Sequence, residues 1–69
     1  MTDRAKEIIV RLCSAYRATN LNKFDAMPFH HDKSALRELE ALDYIKIVTD
    51  GMVEYITLTP EAFRVFLNV

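Results

Sequence analysis

The segment 44–61 reads YIKIVTDGMVEYITLTPE, and it decides the fold. Two runs rich in β-branched and aromatic residues, 44–49 and 52–58, are typical of strands. They flank Asp50-Gly51, a dipeptide that favours two-residue hairpin turns because both of its residues tolerate a positive φ. The segment therefore predicts an antiparallel β-hairpin.

A turn at this dipeptide sets the register and the faces of the predicted hairpin. It pairs Thr49 with Met52 and Ile45 with Ile56. Because side chains alternate along a strand, one face is expected to be core, and it carries Ile45, Ile47, Ile56 and Leu58. The opposite face carries Tyr44, Lys46, Val48, Val53, Tyr55 and Thr57.

The outer face of the predicted hairpin is rich in apolar side chains. Exposed apolar clusters mark interfaces, so we expect a protein interface formed by Tyr44, Val48, Val53 and Tyr55. Two alternatives stay open: these side chains support the strands by cross-strand packing, or Tyr16 or the chain ends cover them. A chain of 69 residues has a small core, which favours a homodimer or a protein partner.

Two helices are predicted before the hairpin. The first is capped by Thr2 or Asp3 and runs to about Asn20. Its buried stripe recurs every three or four positions, at Ala5, Ile8, Ile9, Leu12, Ala15 and Tyr16. The second begins at the N-cap Asp32 and ends near Asp43, with a stripe formed by Ala35, Leu36, Leu39 and Leu42.

The remaining segments predict a short turn and a last helix. Around residues 23–27, a helical turn is expected to point Phe24 and Met27 inward. After the hairpin, Thr59-Pro60-Glu61 supplies an N-cap, a proline at the first helical position and an acidic first turn. The side of this helix that packs on the domain is expected to carry Ala62, Phe63, Phe66 and Leu67.

The composition fits one globular domain that spans residues 1–69, with 51% hydrophobic and 28% charged residues. The net charge of −1 gives no strong field towards nucleic acid or a membrane surface. No apolar run is long enough to cross a membrane, so we expect a cytoplasmic protein without a membrane partner. The single cysteine, Cys13, is expected to pack as a small apolar side chain.

Two segments resemble winged-helix proteins. Residues 36–45, LRELEALDYI, resemble the end of the recognition helix of bacterial winged-helix regulators, with Asp43 where those families usually have glycine. Residues 55–61, YITLTPE, resemble the strand-to-helix junction of the multiple-antibiotic-resistance and phenolic-acid regulator families. The resemblance covers about half of the chain. It implies an α+β winged helix-turn-helix domain, with three principal helices and a two-stranded antiparallel β-hairpin wing.

The resemblance also implies a surface for double-stranded DNA on the second predicted helix. Carried over onto this chain, the DNA-binding residues are His30, His31, Lys33, Ser34, Arg37 and Lys46. Arg37 is the expected base contact, since its guanidinium matches the edge of guanine. Carboxylates on or beside the same surface would repel phosphates, and these are Asp32, Glu38 and Glu40.

No catalytic or metal site is predicted. The run His30-His31-Asp32 contains ligand types that metals prefer, but adjacent side chains point in different directions and no second cluster completes a site. No nucleophile has a plausible base nearby in the pattern, and the single glycine excludes a glycine-rich phosphate loop. We therefore expect no enzyme activity, no cofactor and no small-molecule ligand.

Two functions are compatible with these patterns. The first is a small DNA-binding protein, a transcriptional regulator or an accessory DNA-binding factor, which acts as a dimer. The alternative is a winged helix used as a protein–protein interaction or dimerisation module without DNA binding. The first function uses the second helix, whereas the alternative uses the outer face of the hairpin.

Overall fold

A computed structural model describes residues 1–68 and has an α+β fold. The elements, in chain order, are α1 (Asp3–Thr19), β1 (Phe24–Asp25), a 3-10 turn (Met27–Phe29), α2 (Lys33–Ala41), β2 (Ile45–Asp50), β3 (Val53–Leu58) and α3 (Pro60–Ala62), which continues as a π-helical turn over Phe63–Leu67. The strands form one antiparallel sheet in the order β1-β3-β2. The predicted α+β class and the three helices are confirmed, but the predicted two-stranded sheet is wrong, because β1 adds a third strand.

Helix α1 begins and ends where its sequence predicts. The Oγ1 atom of Thr2 accepts a hydrogen bond from the backbone N–H of Ala5 (3.3 Å). Asn20 ends the helix in the left-handed conformation, at φ 59. The apolar stripe of the helix is buried at Ala5, Ile8, Ile9, Leu12 and Cys13. The packing role predicted for Cys13 is therefore confirmed.

The connector between α1 and α2 differs from the prediction. Phe24 pairs with Ile56 of β3, so the chain is extended here instead of forming a helical turn. The 3-10 turn follows, and Asp25 Oδ1 accepts a hydrogen bond from the N–H of Met27 (2.9 Å). This turn buries Phe29 and leaves Met27 67% exposed. The inward placement predicted for Met27 is therefore wrong, because a pairing with a distant strand overrides the local pattern.

The hairpin turns one residue later than predicted. Asp50 pairs with Val53, so the loop is Gly51-Met52, and Gly51 supplies a positive φ of 64. Apolar residues then lie opposite each other, Ile45 across from Leu58 and Ile47 across from Ile56. The predicted register is wrong: it would set Ile47 opposite Glu54, whereas the observed register gives Ile47 an apolar partner.

The predicted faces of the hairpin are correct despite this change of register. Each residue moves by two positions relative to its partner, and a shift by an even number keeps every side chain on its face. Ile45, Ile56 and Leu58 are buried, and Ile47 is half-buried against the core. The alternation of residues therefore determined the faces correctly even where the pairing was wrong.

The core lies between α1, α2 and the inner face of the sheet, and α3 packs back onto it. Thr59 Oγ1 caps α3 by accepting from the N–H of Ala62 (3.2 Å), and the rings of Phe63 and Tyr16 have centroids 5.0 Å apart. The predicted core residues Leu12, Leu36, Leu39, Ile45, Ile56 and Leu58 are buried, while Phe63 is half-buried. The burial predicted for Leu42 is wrong: it is 43% exposed, because α2 ends at Ala41.

Candidate interaction surface

A groove of about 620 Å³ separates α2 from the tip of the hairpin. We call it the α2–hairpin groove. Phe29, Leu36 and Ile47 line its apolar side, next to the core. Exposed side chains of both charges and exposed methionines surround it, and they come from the 3-10 turn, from α2 and from the hairpin tip.

The basic side chains of the groove belong to the first two turns of α2. Lys33 and Arg37 are both exposed and line the groove, and their spacing of four residues puts them on one face of the helix. Within residues 1–68, neither side chain makes an ion pair or a hydrogen bond. Ser34 is exposed beside them but does not line the groove.

The two histidines stand immediately before α2. Their ring centroids are 3.8 Å apart. His30 lines the groove, and its Nδ1 donates a hydrogen bond to the backbone carbonyl of Met27 (2.8 Å). In the part of the chain that the structure describes, no three His, Cys, Asp or Glu side chains come together as metal ligands.

Asp32, the N-cap residue of α2, uses its carboxylate for a contact with α1. Nε and Nη2 of Arg4 each donate to one oxygen of Asp32, both at 2.9 Å. The hydrogen bonds from Arg4 lower the pKa of Asp32 below its ordinary value. The carboxylate makes no capping bond, and its charge is compensated by a guanidinium.

Glu38 is held by the beginning of the chain in the same way. Its carboxylate accepts hydrogen bonds from the backbone N–H of Thr2 (2.7 Å) and from the hydroxyl of Thr2 (2.9 Å). The backbone donor is the main cause of a lowered pKa for Glu38. Two of the three carboxylates that were expected to oppose phosphates therefore have partners, and Glu40 is the one that lines the groove.

Other carboxylates balance the basic residues of the groove. Asp25 and Glu54 line it together with Glu40, and all three are exposed. Together with Lys33 and Arg37 they make a surface of mixed charge. Such a surface does not attract a polyanion from a distance, but it can pair with charges of either sign at close range.

Exposed apolar side chains lie at the edge of the groove. Met27 and Val53 are exposed, and Met52 at the hairpin turn is fully exposed. The sequence patterns missed both methionines as surface residues of a site. The alternation of the predicted hairpin put Met52 on the face of Ile56 and Leu58, and only the observed register places it in the turn.

The residues predicted as an outer-face interface do not form one open patch. The ring of Tyr44 packs edge-on against Phe66, with centroids 4.9 Å apart. The Nζ atom of Lys23 lies 4.1 Å from the centre of the Tyr55 ring. Val48 lies opposite Tyr55 and is exposed, whereas Val53 lines the groove.

Lys46 is separate from the other residues predicted to bind DNA. It pairs with Thr57 in the sheet and belongs to the outer face of the hairpin, away from α2. The structure therefore brings His30, Lys33 and Arg37 together along the groove, places Ser34 and His31 beside them, and leaves Lys46 outside.

The thiol of Cys13 lies in the core and does not line the groove. Burial raises the pKa of the Cys13 thiol, which disfavours the thiolate that reacts as a nucleophile. Within the described residues, no helix has both the length and the apolar character needed to cross a membrane.

Comparison with family models, with curated proteins and with solved structures finds no match. Any inference about the function of this protein therefore rests on its own sequence and structure.

Proposed function

We propose that this chain is a winged-helix-like protein-interaction module that binds a protein segment in the α2–hairpin groove. The observation that carries the proposal is the exposure of Met27, Met52 and Val53 around one groove. Covering apolar side chains that are in contact with water lowers the free energy of the system. Methionine suits such a surface because its flexible side chain adapts to the shape of the partner.

The charges of the groove also favour a protein over a nucleic acid. Lys33 and Arg37 face the same groove as Asp25, Glu40 and Glu54. A DNA backbone presents negative charge only, so the three carboxylates would oppose it. A protein segment that carries both acidic and basic side chains can pair with all of them.

The order of the elements supports the winged-helix-like part of this proposal. The chain has a helix, a connector with strand β1 and a 3-10 turn, a second helix, a hairpin and a last helix in that order, and the groove lies between the second helix and the hairpin. Asp43 occupies the position after α2 where the resembled families have glycine, and it takes the positive φ of 63 that glycine favours.

Selection of peptides tests the proposal. Random peptides displayed on phage are selected on the wild-type protein and then measured against two variants. Met27→Ser/Met52→Ser removes apolar surface at the groove, while Leu21→Ser removes an equally exposed side chain (66% exposed) that does not line the groove. We expect the groove variant to bind selected peptides about tenfold more weakly or worse and the Leu21 variant to bind as the wild type does. Equal loss in both variants, or no loss in either, contradicts the proposal.

DNA binding by α2 is the second candidate. It is favoured by the unpaired Lys33 and Arg37 in the described structure, combined with the neutralisation of Asp32 by Arg4. In a titration with random duplex DNA at low and moderate salt, this function requires changes in the amide signals of α2. Arg37→Ala should then relax base preference at one position by about 1–3 kcal/mol, and Lys33→Ala should reduce the salt dependence. Unchanged α2 signals at low salt contradict DNA binding and leave the protein partner.

A further inference from the structure

We infer that two copies of this chain pair through strand β2, edge to edge and antiparallel, around a two-fold axis. Their three-stranded sheets then become one continuous sheet. The contact uses the edge of the sheet and not the α2–hairpin groove, so the inference goes beyond the proposed function and does not depend on it.

Strand β2 lies at the edge of the sheet and turns part of its backbone outward. The N–H of Thr59 donates to the carbonyl of Tyr44 (3.1 Å), and this pair continues the register of β2 with β3. Because bonded and non-bonded pairs alternate in an antiparallel ladder, the even-numbered residues of β2 face β3 and the odd-numbered residues face outward. In residues 1–68, the outward N–H and C=O groups of Ile47 and Thr49 have no hydrogen-bond partner. They are free to bind another strand.

The other side of β3 is closed, in contrast to this edge. The N–H of Ala26 donates to the carbonyl of Glu54 (3.0 Å), and the side chain of Asn22 exchanges hydrogen bonds with the backbone of Leu58 (2.7 and 2.9 Å). Strand β2 has no such cover. It pairs with β3 over six consecutive residues without a bulge and contains no proline, and bulges and prolines are means by which edge strands avoid further pairing.

The side chains of β2 select one register for a second copy of the same strand. Registers that join the outward groups set Ile47 opposite Ile47, Ile47 opposite Thr49, or Thr49 opposite Thr49. Of these, only the mixed register brings opposite charges together. It sets Lys46 of each copy across from Asp50 of the other, with Val48 facing Val48 between them. Both charged side chains are exposed, and neither forms an ion pair among the described residues.

This register satisfies backbone, charge and apolar surface together. Ile47 of one copy and Thr49 of the other exchange both backbone hydrogen bonds, and the two-fold axis repeats the exchange. Lys46 and Asp50 form a pair that is not hydrogen-bonded through the backbone, where side chains approach most closely and opposite charges stabilise the sheet. Val48, which is 48% exposed, is covered by its symmetry mate.

The charges also identify a second copy as the occupant. A lysine on an edge strand disfavours pairing with any strand that offers it no acidic partner. Strand β2 carries Lys46 and Asp50 on one face, four residues apart, so an antiparallel copy of itself neutralises both. An unrelated apolar strand in the same place would leave both charges without a partner.

Single charge reversals test the inference. In Lys46→Glu, acidic side chains lie opposite each other across the axis, and in Asp50→Lys basic side chains do. A mixture of these two variants restores opposite charges in every pair, and the double variant Lys46→Glu/Asp50→Lys restores them by itself. The control Lys6→Glu reverses an exposed charge on α1. All three positions are exposed, so we expect the variants to keep the fold, which circular dichroism verifies.

A proline at the edge tests the backbone part of the contact. The N–H of Thr49 has no partner within the described chain, so Thr49→Pro removes no hydrogen bond from the single copy. Between copies, it removes the bond that each Thr49 donates to Ile47 of the other. We therefore expect this variant to fold and to lose the dimer.

The measurement is sedimentation over a range of concentrations. We expect the wild type, the Lys6 control and the double variant to dimerise alike, and each single reversal and Thr49→Pro to dimerise about tenfold more weakly or worse. The mixture of single reversals should recover. A wild type that stays monomeric, or folded variants that dimerise as the wild type does, overturns the inference. It is equally overturned if neither the mixture nor the double variant recovers.

Discussion

At the scale of single residues, Asp43 has a backbone conformation that favours glycine. Its φ is 63. Its N–H donates to the carbonyl of Glu40 (2.9 Å), and the N–H of Tyr44 donates to the carbonyl of Leu39 (3.0 Å). These two bonds form the Schellman motif, which ends many helices at a glycine. The two backbone hydrogen bonds therefore require a left-handed conformation at Asp43, which a residue with a side chain adopts less readily than glycine.

We expect Asp43→Gly to raise the free energy of unfolding by about 0.5–1 kcal/mol. The gain comes from relief of the left-handed conformation, reduced by the greater freedom of glycine in the unfolded chain. Urea denaturation at a fixed protein concentration measures it. Asp43→Ala is the control and should not stabilise, because alanine is also disfavoured at positive φ. A glycine variant that is less stable than the wild type would show that the carboxylate stabilises the fold.

At the scale of elements, one ion pair links the start of α2 to α1. Arg4 lowers the pKa of Asp32, so the unfolded chain binds a proton more readily than the folded one. This contribution to stability is complete above the ordinary pKa of 3.8 and is lost as the pH falls through the lower pKa of the folded state. When the pH is lowered from about 5 to 2, we expect the free energy of unfolding to fall less in Asp32→Asn than in the wild type.

Thermal or urea unfolding at each pH gives this comparison. Asp3→Asn is the matched control, since it removes a carboxylate from the first turn of α1 that has no ion pair in the described structure. It should keep the acid sensitivity of the wild type. Equal acid sensitivity of Asp32→Asn and wild type would mean that the ion pair with Arg4 does not stabilise the fold in solution.

At the scale of the whole molecule, Cys13 reports on global unfolding. Its side chain is buried in the core between the helices and the sheet. A thiol reagent can reach it only when the core opens, and core residues open mainly through global unfolding. We expect labelling of native protein to be slow and to accelerate with urea as global unfolding does. The control Cys13→Ala/Ser14→Cys moves the thiol to the exposed neighbouring position and should react at once. Equally fast labelling of the wild type would show that α1 detaches locally.

Much of the fold and part of the candidate site follow from the sequence. The cap at Thr2, the end of α1 at Asn20 and the start of α3 at Thr59 depend on side chains within a few residues of the backbone that they bind. The faces of the hairpin depend only on the alternation of side chains. The basic surface formed by Lys33 and Arg37 depends on helical spacing. These interactions are local, so local patterns determine them.

Tertiary structure decided the features that depend on distant partners. A strand of two residues is too short to show a periodic pattern in the sequence. Strand β1 forms because Phe24 pairs with Ile56 of β3. Asn22 extends this contact, since its side-chain amide exchanges two hydrogen bonds with the backbone of Leu58 (2.7 and 2.9 Å). The hairpin register follows the matching of apolar partners across the sheet. The carboxylate of Asp32 binds Arg4, which is 28 residues away in the chain, and does not make the predicted capping bond. Each outcome is a competition between a local interaction and a distant one, and the distant one is set only when the core assembles.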